Sequence, residues 1–172
     1  MEEDRLRKLA RGLDALAEKD ELSIRWEHQM AELRCEAAFE LYAICSNFVR
    51  SVNALSTKVK LELAPESYSR RSFRDSGPNL FQINASGRIV QVAFETTEPM
   101  VTTENFRISY TLEGAVRWFS QQTLESLGVR ENLLFYCVEE GKTGWICFDP
   151  QTHRRVPFDE DYLAGLFEEL LK

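Results

Sequence analysis

Histidine is scarce in this chain of 172 residues, with only His28 and His153, and the four cysteines at positions 35, 45, 137 and 147 form no CxxC pair. A zinc site needs Cys and His clustered at short spacings. Neither a metal site nor a cofactor is therefore expected, and the thiols read as small buried hydrophobes.

Long apolar runs are also missing. The run Leu133–Val138 is the longest in the second half, far below the roughly 18 residues of a membrane span. Charges at Glu2, Glu3, Asp4, Arg5, Arg7, Lys8 and Arg11 occupy the place where a secretory signal carries its apolar core. A cytoplasmic location without membrane attachment is expected.

There is no basic surplus. The net charge is −7; residues 1–57 hold 8 basic and 11 acidic side chains, residues 159–172 hold 1 and 5, and the stretch between holds 12 of each. Nucleic-acid binders draw their non-specific affinity from a cationic surface, so nucleic acid is not an expected partner.

Glycine and proline are absent from Leu13 to Ala64, and nothing there forces the backbone out of a helix. Leu6, Leu9, Leu13 and Leu16 repeat at the three-and-four spacing of a helix-packing seam. Its next positions are Asp20 and Ser23, which predicts a break and a second helix capped by Asp20. Along that helix Trp26, Met30, Leu33, Ala37, Leu41, Ile44, Phe48 and Leu55 share one face, with helical periodicity. Between 35 and 49, Phe39, Tyr42 and Val49 add an apolar strip on the other side. Two apolar sides call for two packing partners: a sheet, and then the first helix folded back, the closing helix or a second subunit.

After residue 57 the period changes to two. Val59, Leu61 and Leu63 alternate with charged neighbours up to Pro65, residues 66–79 form an aperiodic loop, and Leu80–Asn84 and Arg88–Glu95 flank Ala85-Ser86-Gly87. Phe106, Ile108, Tyr110 and Leu112 alternate, and Glu113-Gly114 reads as a turn into Val116–Ser120. Leu133–Glu139 and Trp145–Asp149 predict a hairpin, with a last short strand at His153–Val156. Asp159 can cap a closing helix with an apolar face of Tyr162, Leu163, Leu166, Phe167, Leu170 and Leu171. The expectation is one α+β domain over residues 1–172. Two long N-terminal helices (1–57) precede a mainly antiparallel sheet of about six or seven strands and a C-terminal helix (58–172).

Motif by motif, no reaction emerges. Gly141-Lys142-Thr143 looks like the end of a phosphate loop, but the required glycine five residues before its second Gly is Tyr136 here. Asn84-Ala85-Ser86 matches a glycosylation sequon, without consequence in a chain that is not secreted. A three-residue loop at Gly141–Thr143 would set Cys137 opposite Cys147, the geometry of a redox pair, but also Tyr136 opposite Phe148 and Val138 opposite Ile146, so packing alone explains the arrangement. His28 and Cys35 lie two helical turns apart, roughly 10 Å, too far for proton transfer. An enzyme is not expected.

The candidate interaction residues are Phe39, Tyr42 and Val49 on the helix, together with Arg70, Arg71 and Arg74 of the 66–79 loop, interleaved with Tyr68 and Phe73. Planar arginine forks in a long loop suit a phosphate or an acidic partner. The functional expectation is a non-catalytic interaction module that self-associates through its helices, as a homodimer or with a protein partner. The alternative is a protein that holds a small apolar ligand between a curved sheet and the helix.

Overall fold

The computed structural model describes residues 2–101, 108–122, 124–139 and 141–172. Residues 1–33 and 34–172 form two compact units, taken in turn below.

The first unit is helix alone. A single helix, α1, runs over Glu2–Leu55, so the two expected N-terminal helices are one. Asp20 and Ser23 interrupt the leucine seam but not the backbone, because an exposed polar side chain costs a helix only tenths of a kcal/mol, roughly 0.5 at most. Gly12 is tolerated in mid-helix, at about 1 kcal/mol relative to Ala. Residues 3–29 of α1 are exposed along their whole length.

The second unit contains the rest of α1 and a seven-stranded antiparallel sheet: β1 (Glu62–Ala64), β2 (Asn79–Ala85), β3 (Arg88–Val101), β4 (Tyr110–Ser120), β5 (Arg130–Glu139), β6 (Lys142–Phe148) and β7 (Arg155–Pro157). The strands lie side by side in chain order. Short α2 (Leu124–Leu127) connects β4 to β5, and α3 (Glu160–Leu170) closes the fold. The α+β order read from the sequence therefore holds.

Several strands differ from expectation, each for a local reason. β1 begins only at Glu62, because Asn53 accepts from Leu61 N–H and donates to Leu61 C=O, taking the groups that a longer strand would use. The β2–β3 turn is the expected one, with Ser86 at φ 52° and Gly87 at φ 86°, the left-handed pair that tight hairpins need. Glu113-Gly114 is not a turn: β4 passes straight through it, with Phe94 opposite Gly114 and Ala93 opposite Ala115. A Cβ on Gly114 would sit 1.9 Å from Ala93 O, so glycine serves close strand approach there. Phe106, the start of the expected strand, lies outside the described residues.

The β5–β6 hairpin is tighter than expected. Glu139 pairs with Lys142 and Cys137 with Gly144, while Cys147 pairs with Leu134, Trp145 with Tyr136 and Ile146 with Phe135. Gly141 at φ 79° allows the shorter connection. Cys137 and Cys147 consequently lie on opposite faces of the sheet and cannot form the redox pair considered above. The last strand starts two residues late, since Asp149 accepts from Gln151 and Thr152 and holds a turn there.

One face of the sheet carries the main core. Phe81, Ile83, Val90, Val92, Phe94, Leu112, Val116, Leu134 and Cys147 are buried there, with Leu41, Cys45 and Phe48 of α1. Trp145 Nε1 donates to Ala37 O across this interface at 2.7 Å. α3 adds Leu163, Leu166 and Phe167, the last stacked on Phe48 at 5.7 Å. Asp159 caps α3 as expected, accepting from Tyr162 N. Leu55 and Leu171, counted in the apolar faces above, are exposed.

Candidate functional site

Phe39 and Tyr42 do not wait for a second subunit. The segment after β1 brings Tyr68 over them: its ring stacks on Tyr42 at 5.2 Å, meets Phe39 at 5.4 Å and Phe81 at 5.0 Å. Tyr42 also donates to Pro65 O. Val49 is buried. The second apolar side of the helix is therefore covered by a segment predicted to be a mobile loop.

That segment is held at several points. Arg34 binds Asp75 through two hydrogen bonds, Thr96 donates to Asp75, and the Asn79 amide bonds the backbone of Arg74. Arg70 and Arg71 lie on a 3₁₀ turn, Arg70–Ser72. With Arg74 they are exposed, and none of the three forms an ion pair among the described residues. The three are available to an anion, but no second group converges with them.

The chemistry of nucleophiles is weak here. Burial pushes the thiols of Cys45, Cys147 and Cys137 up to about 12, which holds them protonated and unreactive. His28 and His153 are exposed. No cluster of three or more His, Cys, Asp or Glu suited to a metal occurs among the described residues.

Two surfaces stand out among the described residues. The first is the α1 seam, whose Leu6, Leu9, Leu13 and Leu16 are 54–61% exposed. The second is a groove of about 550 Å³ on the sheet face opposite the main core. Its floor is Ala93, Ala115, Leu133 and Phe135, and Tyr110 and Phe148 form a wall. Tyr110, Phe135, Cys137 and Phe148 are buried together on this outer face, supported by Ile108, Leu133 and Ile146.

The groove has a charged end. Glu95 and Glu113 stand directly opposite one another on β3 and β4. Farther along, Arg117 pairs with Glu131 directly across from it on β5. Burial and then the neighbouring Glu113 carboxylate raise the Tyr110 phenol above its ordinary value.

The chain matches no protein-family model, no curated protein and no solved structure.

None of the groove residues was picked out from the sequence. One signal was there: the unbroken apolar run Leu133–Val138 does not alternate, which marks a strand covered on both faces. Between sheet and helix, where the alternative reading places an apolar ligand, Phe81, Phe94, Leu41 and Trp145 are buried.

Proposed function

We propose that the protein is a non-catalytic interaction module that self-associates through the leucine seam of α1. The observation that carries this reading is the exposure of Leu6, Leu9, Leu13 and Leu16 on one stripe of a helix. Soluble surfaces rarely leave such contiguous apolar stripes bare unless they bind something. A second copy offers the same stripe, and paired seams interdigitate as knobs into holes.

The strength is bounded by the seam's length. Burying the exposed part of eight leucines contributes roughly 8–12 kcal/mol, against an association cost of about 4–15 kcal/mol. Because Asp20 and Ser23 end the stripe after two heptads, the balance leaves at most about 8 kcal/mol, and a dimer no tighter than micromolar follows. The raised thiols support the non-catalytic part of the reading, and the acidic net charge supports a cytoplasmic protein partner rather than nucleic acid.

Light scattering from 1 to 200 µM tests it. The mass is expected to rise from 19.9 kDa towards twice that value, and Leu9→Asp with Leu13→Asp is expected to hold it at the lower value with the sheet intact. A mass of one chain throughout would overturn self-association. The outer groove favours a second reading, ligand binding, moved from the helix side of the sheet to its other face.

A further inference from the structure

We propose that the outer-face groove binds an organic cation, an ammonium group carried on a small apolar body. The inference stands apart from self-association, since every lining residue lies between Pro78 and Phe148.

The first argument is shape. About 550 Å³ falls within the range of small-molecule sites, roughly 300–1,000 Å³. The depression has a cause in the sequence: two alanines, Ala93 and Ala115, face each other in adjacent strands, beside the larger Leu133 opposite Ala115 and Phe135 opposite Glu113. The small side chains leave a depression in the floor beside these larger neighbours. On the solvent side of an antiparallel sheet polar residues are usual, so this apolar floor asks for an occupant with an apolar body.

The second argument is charge. Directly opposed like charges on neighbouring strands destabilise a sheet, because their Cβ atoms lie only about 5 Å apart. Glu113 accepts a hydrogen bond from the Tyr110 phenol, which leaves the charge of both carboxylates in place; neither forms an ion pair among the described residues, and the nearest cation in the groove, Arg117, is held by Glu131. A monocation between the two carboxylates removes the repulsion. A neutral ligand leaves it, and an anion adds to it. A metal ion is a poorer fit, because two carboxylates beside an apolar floor supply too few oxygen ligands for a hard cation.

The floor and the charged end are adjacent along the same strands. Ala93 and Glu95 are alternate residues of β3, and Glu113 and Ala115 alternate residues of β4, so all four point to the outer face. A ligand whose charge sits between the glutamates therefore lays its body along the alanines towards Leu133 and Phe135.

The test uses the full chain and three probes of equal chain length: hexyltrimethylammonium, hexanol and hexanesulfonate, titrated by calorimetry and by NMR shifts of groove residues. The expected result is that the cation binds at least tenfold more tightly than hexanol, and hexanesulfonate more weakly than both. Glu95→Gln with Glu113→Gln is expected to bring the cation to within twofold of hexanol. Filling the floor with Ala93→Phe is expected to abolish binding of all three probes. Equal binding of cation and alcohol by the unmodified protein overturns the proposal, as does no cation binding at millimolar concentration. A preference that survives the double glutamine variant also overturns it. If the Ala93→Phe chain fails to fold, the double glutamine comparison decides alone. The Leu9→Asp, Leu13→Asp chain is expected to bind the cation as the unmodified protein does, which separates this result from the fate of the dimer.

Discussion

Arg34 and Asp75, 41 residues apart in sequence, are joined by two hydrogen bonds, Nε to Oδ1 at 2.7 Å and a terminal guanidinium nitrogen to Oδ2 at 2.9 Å. The pair ties the segment after β1 to α1. The Arg34 hydrogen bond is the largest influence on Asp75 and, with help from Thr96 and against burial, holds its carboxyl below the ordinary value of 3.8. Such a depressed carboxylate contributes stability that is fully present above its unfolded pKa and is lost as pH falls through the lower folded one. Asp75→Asn should therefore cost about 2 kcal/mol near neutral pH, since it leaves the nearly buried Arg34 charge poorly paired. The penalty should shrink as pH falls below the ordinary value of 3.8 and vanish once pH has also passed the lower folded value, where the native carboxyl protonates. Urea titrations at pH 7 and at successively lower pH below 3.8 measure both; a penalty that stays constant throughout would show that the charge is not what matters.

Gly114 should admit no side chain. The obstacle to a Cβ is the Ala93 carbonyl and the Phe94 Cα, which are backbone and cannot rotate away. Gly114→Ala is expected to destabilise the protein by about 3 kcal/mol, in the upper range for overpacking, seen as a lower melting temperature. An unchanged melting temperature would mean that β3 and β4 are not so close.

Thiol reagents should distinguish the cysteines. Cys35 is half-buried, whereas Cys45, Cys137 and Cys147 are buried, with their thiols raised to about 12. The expected outcome is one fast equivalent at Cys35, with the other three labelling only as the protein unfolds. Fast labelling of Cys137 would contradict its place in the outer-face cluster.

Tyr42 should behave as a core residue and not as a subunit contact. Tyr42→Phe removes one hydrogen bond to Pro65 O and should cost about 1 kcal/mol. Tyr42→Ala also removes the contacts to Tyr68 and Phe81 and should cost about 3 kcal/mol. Neither should alter the solution mass; a change of mass at constant stability would return Tyr42 to an interface.

Limited proteolysis should begin in the N-terminal part of α1. Its Arg11, Lys19 and Arg25 are exposed, and a helix with few buried contacts opens locally at little cost. The segment around Arg70–Arg74 is held by Tyr68 and Asp75. Trypsin should therefore cut at Arg11, Lys19 or Arg25 first; first cleavage at Arg70 or Arg71 would show that those anchors are weak.

What the sequence by itself determined is what depends on neighbours in the chain. Leu13 to Leu55, without Gly or Pro, is helical because no residue in it opposes the helix, and the Asp159 cap and the Ser86-Gly87 turn follow from side-chain and backbone preferences within four residues. Only the tertiary structure decided matters that depend on distant strands. Glu113-Gly114 looks like a turn until β3 is laid beside it, and its glycine then answers a steric need set by Ala93. The hairpin at Gly141 differs from expectation by one loop residue. Hairpin register depends on that count, and with it whether two cysteines meet or part. Tyr68 covers Phe39 and Tyr42 only because the segment after β1 lies over α1, and Ala93, Ala115, Glu95 and Glu113 form one groove only because antiparallel pairing brings together residues about 20 positions apart. No local periodicity encodes those distances.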